Sequence, residues 1–472
     1  MSNKARTRNR TDAGNAEFFA AYYADHVRYD HRRARWLIWE EKRGRWHADR
    51  EQRVRRMAKL AARERGQRAF EIEVRDGDQE AKKERADEIN WALQSESKVR
   101  IDAALSLAQP EPPISDPGTC WDNDPWLFGV ENGVLDLRTN KVRKGKREDR
   151  ITKFSPIEFD VRAPCQRFEL FLKEIFNSDE TLIGFVRRAI GYSLSGSVKE
   201  QCLFLAYGEG ANGKSTLLSL VQRILGDYAV NLPASTFEAN VRSALSPELE
   251  ILFGSRFATA IETREGMRLN EQRIKALTGG DSITARPLYR PPVTFEPSHK
   301  LWLAFNHKPV IGDDSYGMWR RVHLIPFTQR FDKDTGRDDN LSDALWAEAP
   351  GILAWAVRGC LEWQKQGLGA PPAVEKATAE YREESDHLAQ FIEECCVVEE
   401  GSQISCGSMW ENYLAWADQN EETPLTRPVF AERMKRRKFE KGKSGHDNVR
   451  VWEGLRLMEK CERASECERA IT

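Results

Sequence analysis

The glycine-rich run at residues 208–216 constrains the fold of this chain more than any other feature of its sequence. The run is Gly-Glu-Gly-Ala-Asn-Gly-Lys-Ser-Thr, and it lies between a short apolar stretch at 202–207 and an apolar helical pattern at 216–225. Gly208 and Gly213 let the backbone wrap around a phosphate, while successive N–H groups and the helix N-terminus supply a cradle for an anion. A strand, this loop and a helix together predict an α/β domain with a phosphate-binding loop (P-loop).

The loop residues are expected to bind ATP together with Mg²⁺. The Lys214 ammonium is predicted to reach the β- and γ-phosphates, and the Ser215 hydroxyl to ligate the metal. The expected ATP-binding set within the loop is Gly208, Glu209, Gly210, Ala211, Asn212, Gly213, Lys214, Ser215 and Thr216.

Two further apolar stretches each end in a polar side chain. The stretch at 256–262 ends in Glu262, which is placed to order Mg²⁺ and polarise an attacking water. The stretch at 301–306 ends in Asn306, whose amide can donate to a phosphate oxygen and hold that water. An ordinary surface Glu is the alternative for the first, but the order behind the glycine loop favours an ATPase.

Arginine is concentrated in the first 68 residues, although the net charge of the chain is only −1. Such a region can contact a polyanion even in a neutral chain, and a solvated helix face explains it about equally well. Both interpretations stay open. The region includes Arg32, Arg33, Arg35, Arg43, Arg45, Arg53, Arg55 and Arg56.

Length, cysteine spacing and hydropathy bound the class of protein. A chain of 472 residues predicts two to four domains, and the 9 cysteines include no CxxC pair or zinc-like spacing. The first residues lack the apolar segment of a signal peptide, and no stretch approaches the ~20 apolar residues that span a bilayer. We therefore expect a soluble protein of the reducing cytoplasm with no membrane partner.

Local patterns predict several elements around the loop. Proline and glycine concentrate at 110–118 and at 367–372, which predicts two breaks between domains. The predicted elements are a capped helix at 15–24, a hairpin at 36–46, helices within 51–107, a hairpin turning at Asn132-Gly133, and helices within 165–200.

The motifs that follow the loop resemble those of a known family. Glu262, the Lys-Ala-Leu-Thr-Gly-Gly-Asp run at 275–281, Ala285-Arg286, Asn306 and the Trp-Arg-Arg run at 319–321 resemble the phage/plasmid primase-helicase family. That family is related to the poxvirus primase-helicase and belongs to helicase superfamily 3. Residues 131–137 and 191–196 are similar to the family's lead-in, and the resemblance covers roughly residues 15–455.

The resemblance implies an AAA+-like core that binds ATP between neighbouring subunits of a ring, usually a hexamer. Lys214, Ser215, Glu262 and Asn306 would act in cis. Arg321 would be the arginine finger of the next subunit, with Arg320 as its rival, and Lys275 a second trans contact; surface ion pairs are the alternative. Many members end the acidic strand with two carboxylates, whereas Thr263 follows Glu262 here and the next acid is Glu265. Whether Glu262 alone serves both the metal and the water stays open.

The resemblance also implies a hairpin that projects into the pore of the ring. Residues 283–286 and 293–295 would be its arms, and residues 288–291 its tip. Arg286, Tyr289 and Arg290 are its expected DNA contacts, because an aromatic ring can stack on bases while a cation follows phosphates. An ordinary turn with a packed tyrosine is the alternative.

The last hundred residues predict a winged-helix pattern of helix, helix, basic helix and hairpin. Arg433 and Arg436 on the basic helix are candidates for DNA contact, with a solvated basic helix as the alternative. The expected domains are a basic, mainly helical region (1–110), a β-hairpin lead-in (119–164), a helicase/ATPase domain (165–366), a winged-helix-like domain (373–458) and a tail (459–472).

The leading hypothesis is an ATP-dependent replicative DNA helicase of a phage, prophage or plasmid in a bacterial cytoplasm. Its expected partners are single- and double-stranded DNA, further copies of itself, and a separate primase or loader. A bifunctional primase-helicase is the first alternative, although the acidic pairs at 76–78 and 122–124 lie in turn-like sequence. A P-loop small-molecule kinase is the second, and would need neither Asn306 nor the basic C-terminal part.

Overall fold

The chain is described from a computed structural model that covers most of its length. The described residues are 9–239, 247–262, 264–286, 292–313, 315–331, 338–420, 424–444 and 449–458, with only the backbone described at 247 and 262.

Helices and a small sheet form the N-terminal region. The elements are α1 (Asp12–Tyr22), β1 (Val27–Asp30), β2 (Arg35–Glu40), β3 (Arg45–Ala48), α2 (Arg53–Arg68), α3 (Gln79–Gln94), α4 (Lys98–Ala108) and β4 (Ser115–Asp116). The predicted capped helix, hairpin and helical stretch are confirmed. Helix α1 begins three residues early because the Thr11 hydroxyl accepts a hydrogen bond from the Gly14 N–H.

The first predicted break is not a free linker. Its strand β4 pairs in parallel with β1 and completes a sheet of order β3-β2-β1-β4. Just beyond, Trp121 packs edge-on against Trp46 of β3, with ring centroids 5.5 Å apart. Residues 110–121 therefore belong to the N-terminal sheet.

A three-stranded antiparallel sheet and two helices lead into the glycine loop. They are β5 (Leu127–Val130), β6 (Gly133–Asp136), β7 (Lys141–Arg143), α5 (Gln166–Ile175) and α6 (Glu180–Leu194). The predicted hairpin is confirmed, and its turn is Glu131-Asn132, since Val130 pairs with Gly133. The predicted helices are also confirmed.

A five-stranded parallel sheet, of order β14-β8-β13-β10-β9, forms the centre of the chain. Its elements and connections are β8 (Leu203–Tyr207), α7 (Lys214–Leu225), β9 (Ala229–Asn231), β10 (Phe257–Glu262), α8 (Glu271–Thr278), β11 (Ile283–Ala285), β12 (Val293–Phe295), β13 (Lys300–Phe305), α9 (Tyr316–Trp319) and β14 (Val322–Pro326). Strands buried on both faces read as continuous apolar runs, as β8 and β13 do. The prediction of a mixed α/β fold with a parallel sheet is confirmed.

Apolar cores cover both faces of the sheet. One core contains α5, α6, α7 and, after the sheet, α10 (Leu341–Ala347) and α11 (Ala349–Gln366). The other contains α8 and residues of the β11–β12 pair. Of the helices in the described ranges, none combines the length and apolar character needed to cross a bilayer.

The C-terminal part begins with a helix on the sheet. Helix α12 (Pro372–Glu384) packs beside β14, where the Thr378 hydroxyl accepts a hydrogen bond from the Leu324 N–H at 3.0 Å. The remaining elements are α13 (His387–Cys395), β15 (Cys396–Ser405), α14 (Cys406–Gln419), α15 (Arg427–Arg436), β16 (Lys441–Ser444) and β17 (Val449–Leu457). They have a separate apolar core and a sheet of order β15-β17-β16.

Candidate nucleotide site

Three neighbouring strands of the central sheet end at the same level. Tyr207 of β8 lies beside Phe305 of β13, and Phe305 lies beside Glu262 of β10. Neighbouring strands are about 4.8 Å apart, so the ends of β8 and β10 are about 10 Å apart. Gly208 and Asn306 leave the sheet from this edge. Ligands of open parallel sheets bind outside the carboxyl ends of the strands, which makes this edge the candidate site.

The glycine loop lies close to the chain that follows β14. A Cβ added at Gly208 would lie 2.2 Å from Asn212 Nδ2 and 2.3 Å from the Phe327 carbonyl oxygen. Gly213 has φ +87°, and a Cβ there would lie 2.6 Å from Ile175 Cγ2. Both positions therefore exclude a side chain, and the first turn of α7 begins directly after Gly213.

Lys214 is folded over the loop rather than paired with an acid. Its side chain is buried, and Nζ donates to Asn212 Oδ1 at 2.9 Å and to the Gly208 carbonyl. Burial lowers the pKa of Lys214 to about 8. Because both acceptors are neutral oxygens, a bound phosphate would supply the countercharge that this ammonium lacks. The loop thus fits a polyphosphate on the chemistry of its own donors.

The expected metal ligands are placed at the same edge. Ser215 is exposed on the first turn of α7, and Glu262 is the last residue of β10. Asn306, half-buried, comes directly after β13. Mg²⁺ in phosphate sites is held by one or two side chains and by phosphate oxygens, so a Ser215–Glu262 pair is a sufficient protein contribution. Within the described ranges, no group of three or more His, Cys, Asp or Glu is arranged to hold a metal.

A cavity of about 500 Å³ opens beside the loop. Phe171 of α5, Phe331 and Leu341 of α10 contribute apolar walls, and the Phe331 N–H donates to the Ala211 carbonyl at 2.6 Å. The volume is in the usual range for small-molecule sites. Sequence reasoning missed this cavity, because its lining residues belong to segments far apart in the chain.

Arg321 lies at the opposite edge of the sheet. It directly precedes β14, and its carbonyl accepts from the N–H of Leu203, the first residue of β8, at 2.7 Å. Its side chain is buried, with Nε donating to Thr278 Oγ1 at 3.2 Å and Nη1 to the Gly317 carbonyl. Burial, then the charge of Arg320, lowers the pKa of Arg321.

The other two cations expected to act in trans lie near Arg321. Arg320 is exposed, and its Nη2 donates to Gln201 Oε1 at 2.7 Å. Lys275 forms an ion pair with Asp313 and lies one turn before Thr278 on α8, the helix whose last residue contacts Arg321. The structure therefore separates the backbone of Arg320 and Arg321 from the glycine loop by the five residues of β8, about 17 Å.

The arms of the expected pore hairpin are found, and its tip lies outside the described residues. Strands β11 and β12 are antiparallel, with Ile283 opposite Phe295 and Ala285 opposite Val293. Arg286, directly after β11, is exposed. Tyr289 and Arg290 fall in 287–291, which is not described.

The two arginines chosen on the basic helix α15 have different surroundings. Arg433 is buried, and Nη2 donates to the Gly312 carbonyl of the loop after β13. This contact joins the C-terminal elements to the loop after β13. The buried side chain of Arg433 thus has a structural role, and we do not propose it as a DNA contact. Arg436 is exposed, with Nη2 2.6 Å from Glu432 Oε1, and its DNA contact stays a prediction. A sequence pattern does not separate the faces of a short basic helix.

Family models match three parts of the chain. They are described as D5 N terminal like (residues 16–177), a family of unknown function (residues 206–321) and Poxvirus D5 protein-like (residues 383–454). The chain is a mixed α/β protein with a candidate nucleotide site at the carboxyl edge of a parallel sheet. Residues 16–177 and 383–454 are thus similar to domains of the poxvirus D5 type, and the resemblance to the poxvirus-type primase-helicase family is confirmed.

The curated relatives are viral proteins longer than this chain. "Putative helicase L207/L206" of Acanthamoeba polyphaga mimivirus is 31% identical over 323 residues, 63% of this chain and 34% of that protein. "Putative helicase 022R" of Frog virus 3 (isolate Goorha) is 26% identical over 392 residues, 64% and 40% of the two chains. "Putative primase C962R" of African swine fever virus (isolate Tick/Malawi/Lil 20-1/1983) is 26% identical over 380 residues, which are 72% of this chain and 38% of that protein. The chain thus spans 34–40% of these relatives, and they give no support for a bacterial host.

Among solved structures, the apo A form of the NrS-1 C-terminal region is similar at a TM-score of 0.49 and 11% identity, over 93% of this chain and 99% of that one.

Proposed function

We propose that the chain is the motor of an ATP-dependent DNA helicase in which neighbouring copies share each active site. The observation that carries this proposal is the separation of two sets of cations across the central sheet. Lys214 lies at the carboxyl edge and Arg321 at the amino edge, about one strand length apart. Both can contact one ATP only if a second copy supplies the arginine. The test is to mix Lys214→Ala and Arg321→Ala chains and to measure ATP hydrolysis. We expect the mixture to hydrolyse ATP, although neither variant does so alone.

The carboxyl edge is the half of the site that would hold ATP. The loop N–H groups and Lys214 would bind the phosphates, and the cavity between Phe171 and Phe331 would take the base. Bound Mg²⁺ would neutralise phosphate charge beside Ser215 and Glu262. Asn306 would orient the attacking water, as its place directly after β13 allows.

The amino edge is the half that would complete the neighbour's site. A cation supplied in trans stabilises the charge that develops on the γ-phosphate and makes hydrolysis depend on assembly. Arg321 is held by Thr278 and Gly317, while Arg320 is exposed. Arg321 is favoured because hydrogen bonds fix the position of its guanidinium. Arg320 is favoured because its exposed side chain can extend to a nucleotide bound by the neighbouring subunit. A head-to-tail contact of these two edges would close into a ring, for which we propose six subunits on the resemblance.

The nucleic-acid substrate is proposed from the relatives and from the hairpin that the resemblance implies, whose two arms are paired strands. Two of the relatives reported above are named helicases and one a primase, each over a portion of its length. A separate primase or loader is the further partner proposed for the helicase. Bifunctional priming is the second candidate, favoured by the printed name of the African swine fever virus relative. Oligonucleotide synthesis by the purified chain from ribonucleotides on a single-stranded template would establish it.

The lowered pKa of Lys214 predicts that nucleotide binding takes up a proton at alkaline pH. The free ammonium is charged below about pH 8 and loses its proton above it. Bound phosphates favour the charged form and raise the pKa again, so binding at about pH 9 should take up nearly one proton and binding at about pH 7 nearly none. Calorimetry in buffers of different ionisation enthalpy measures this number. A Lys214→Arg chain that still binds should show no uptake, and equal values at both pH for the unmodified chain would contradict the assignment.

The hairpin predicts a variant that separates hydrolysis from unwinding. Arg290→Ala should leave the basal ATPase rate unchanged, because the arms β11 and β12 do not contribute to either half of the nucleotide site. Unwinding of a forked duplex should fall about tenfold or more, since the cation follows DNA phosphates. Arg264→Ala, at another exposed position, is the matched control. Normal unwinding by the Arg290 variant would remove the hairpin from the mechanism.

A further inference from the structure

A further cavity lies away from the nucleotide edge. It has a volume of about 560 Å³ and opens between the N-terminal sheet and the base of the β11–β12 hairpin. We name it the arginine cleft, after the lining residues Arg32, Arg33, Arg35, Arg45 and Arg50. These belong to the basic region whose role the sequence left open.

Positive charge dominates the lining of the arginine cleft. Six lining residues are Arg or Lys and three are Asp or Glu, so the lining attracts anions. Two of the three acids already serve the local backbone. Asp122 accepts from the N–H groups of Thr152 and Lys153, and Asp227 accepts from the N–H of Phe154.

The cations of the cleft are close enough to repel one another. The buried carboxylate of Asp30 is shared by Arg33, at 2.8 Å, and Arg35, at 3.1 Å. Burial first, and then the charge of Arg33, lowers the pKa of Arg32 and of Arg35. Burial likewise lowers the pKa of Lys153, with Arg33 and Arg35 adding to the effect. An anion in the cleft would relieve this repulsion.

The phenylalanine residues of the cleft are already occupied. The ring of Phe253 is covered by the guanidinium carbons of Arg33 at 3.9 Å and Arg32 at 4.9 Å. Phe154 is covered in the same way by Arg45, and Phe295 is buried. The half-exposed imidazole of His47 is the remaining ring of the lining, so most of the groups offered to a ligand are charged donors. Such a surface recognises phosphates rather than base identity.

The cleft is continuous with the hairpin. Val293 and Phe295 of β12 line it, and Arg32 donates a hydrogen bond to the Thr294 carbonyl between them. A nucleic-acid strand that contacts the hairpin would therefore pass from the base of the hairpin directly into the cleft.

We propose that the arginine cleft binds the phosphodiester backbone of single-stranded DNA, without sequence preference, as that strand passes the base of the hairpin. This deepens the proposed helicase function and rests on it for the choice of DNA. Arg32 and Arg50 contact phosphates, while Arg33 and Arg35, fixed by Asp30, supply the surrounding positive potential.

The test is the affinity of the full chain for a fluorescent oligothymidylate, without nucleotide, across a range of salt concentrations. An Arg32→Ala/Arg50→Ala chain should bind about tenfold or more weakly, and the slope of log K against log salt should fall by about 1.4, since each lost phosphate contact contributes about 0.7. The control is Arg56→Ala/Arg63→Ala, which removes two charges from α2, outside the cleft lining. The control should bind as the unmodified chain does.

Equal losses in the cleft and control chains would overturn the proposal, as would an effect on oligouridylate RNA but none on DNA. If the double variant unfolds, the single variant Arg50→Ala is the test. Arg50 is exposed, and this variant keeps the hydrogen bond between Arg32 and Thr294, so it should stay folded. It should lower the slope by about 0.7, and an unchanged slope overturns the proposal. Basal ATP hydrolysis should be unaffected by the cleft substitutions. A chain without ATPase activity whose DNA binding still depends on the cleft would refute only the helicase proposal.

Discussion

Lys214→Ala should abolish ATP hydrolysis while the chain stays folded. The ammonium is the one side-chain cation held over the glycine loop in the described part of the chain, and it faces neutral oxygens. Without the ammonium, the phosphates lose a stabilising positive charge, and this charge matters more as negative charge develops during departure of the γ-phosphate. Loss of one such group lowers the rate by a factor of about 10² to 10³ or more. The measurement is steady-state phosphate release at saturating ATP and Mg²⁺.

Folding of this variant should be unimpaired for a physical reason. The pKa of Lys214 is lowered in the folded chain, so keeping its charge at neutral pH opposes folding, and removing the group should leave the melting temperature unchanged or raise it. Lys308→Ala is the matched control, since Lys308 also follows the carboxyl edge but pairs with Glu384. The control should hydrolyse ATP normally. Turnover surviving in a folded Lys214→Ala chain would refute the phosphate-binding loop.

Arg321→Ala should lose hydrolysis and keep nucleotide binding. Its guanidinium lies at the amino edge of the sheet, about 17 Å from the carboxyl edge, so the loop of the same chain is left intact. Arginine fingers contribute a factor of about 10³ or more to the rate, whereas ATP affinity should change by less than about threefold. Titration with a fluorescent ATP analogue and phosphate release measure the two quantities. Arg320→Ala, tested beside it, identifies which of the two guanidinium groups acts.

Mixing separates a trans role from local damage. A Lys214→Ala chain retains its arginines, and an Arg321→Ala chain retains its loop, so a contact between them can be complete. Random mixing in equal amounts leaves about a quarter of the head-to-tail contacts intact and should restore a corresponding share of the activity. Loss of ATP binding in Arg321→Ala, or a mixture as inactive as its components, would contradict the shared site.

Patterns local in the sequence predicted the elements of the central sheet well. The apolar runs that end at Tyr207, Glu262 and Phe305 are strands, because a buried parallel strand needs continuous apolar residues. Each of these strands depends on a few adjacent residues that the sequence displays directly. The arms of the hairpin were instead implied by the resemblance, and both are strands.

Relations between distant elements could not be predicted in the same way. The cavity beside the loop joins Phe171 to Phe331, and the arginine cleft joins Arg32 to Thr294, pairs separated by more than a hundred residues. Burial of Arg433 depends on the position of the Gly312 carbonyl, which no pattern on α15 encodes. The resemblance implied that Lys214 and Arg321 act in different subunits, and this stays a prediction. The structure adds that the two residues follow and precede opposite ends of the parallel strands.

The central claim, an active site completed by a neighbouring copy and coupled to DNA, is tested most directly by the ATPase rate per chain across protein concentration, with and without single-stranded DNA. The shared site predicts a rate per chain that is low at high dilution, rises as copies assemble and reaches a plateau that DNA increases. A constant rate per chain at every dilution, with no response to DNA, would contradict it and indicate a site complete within one chain.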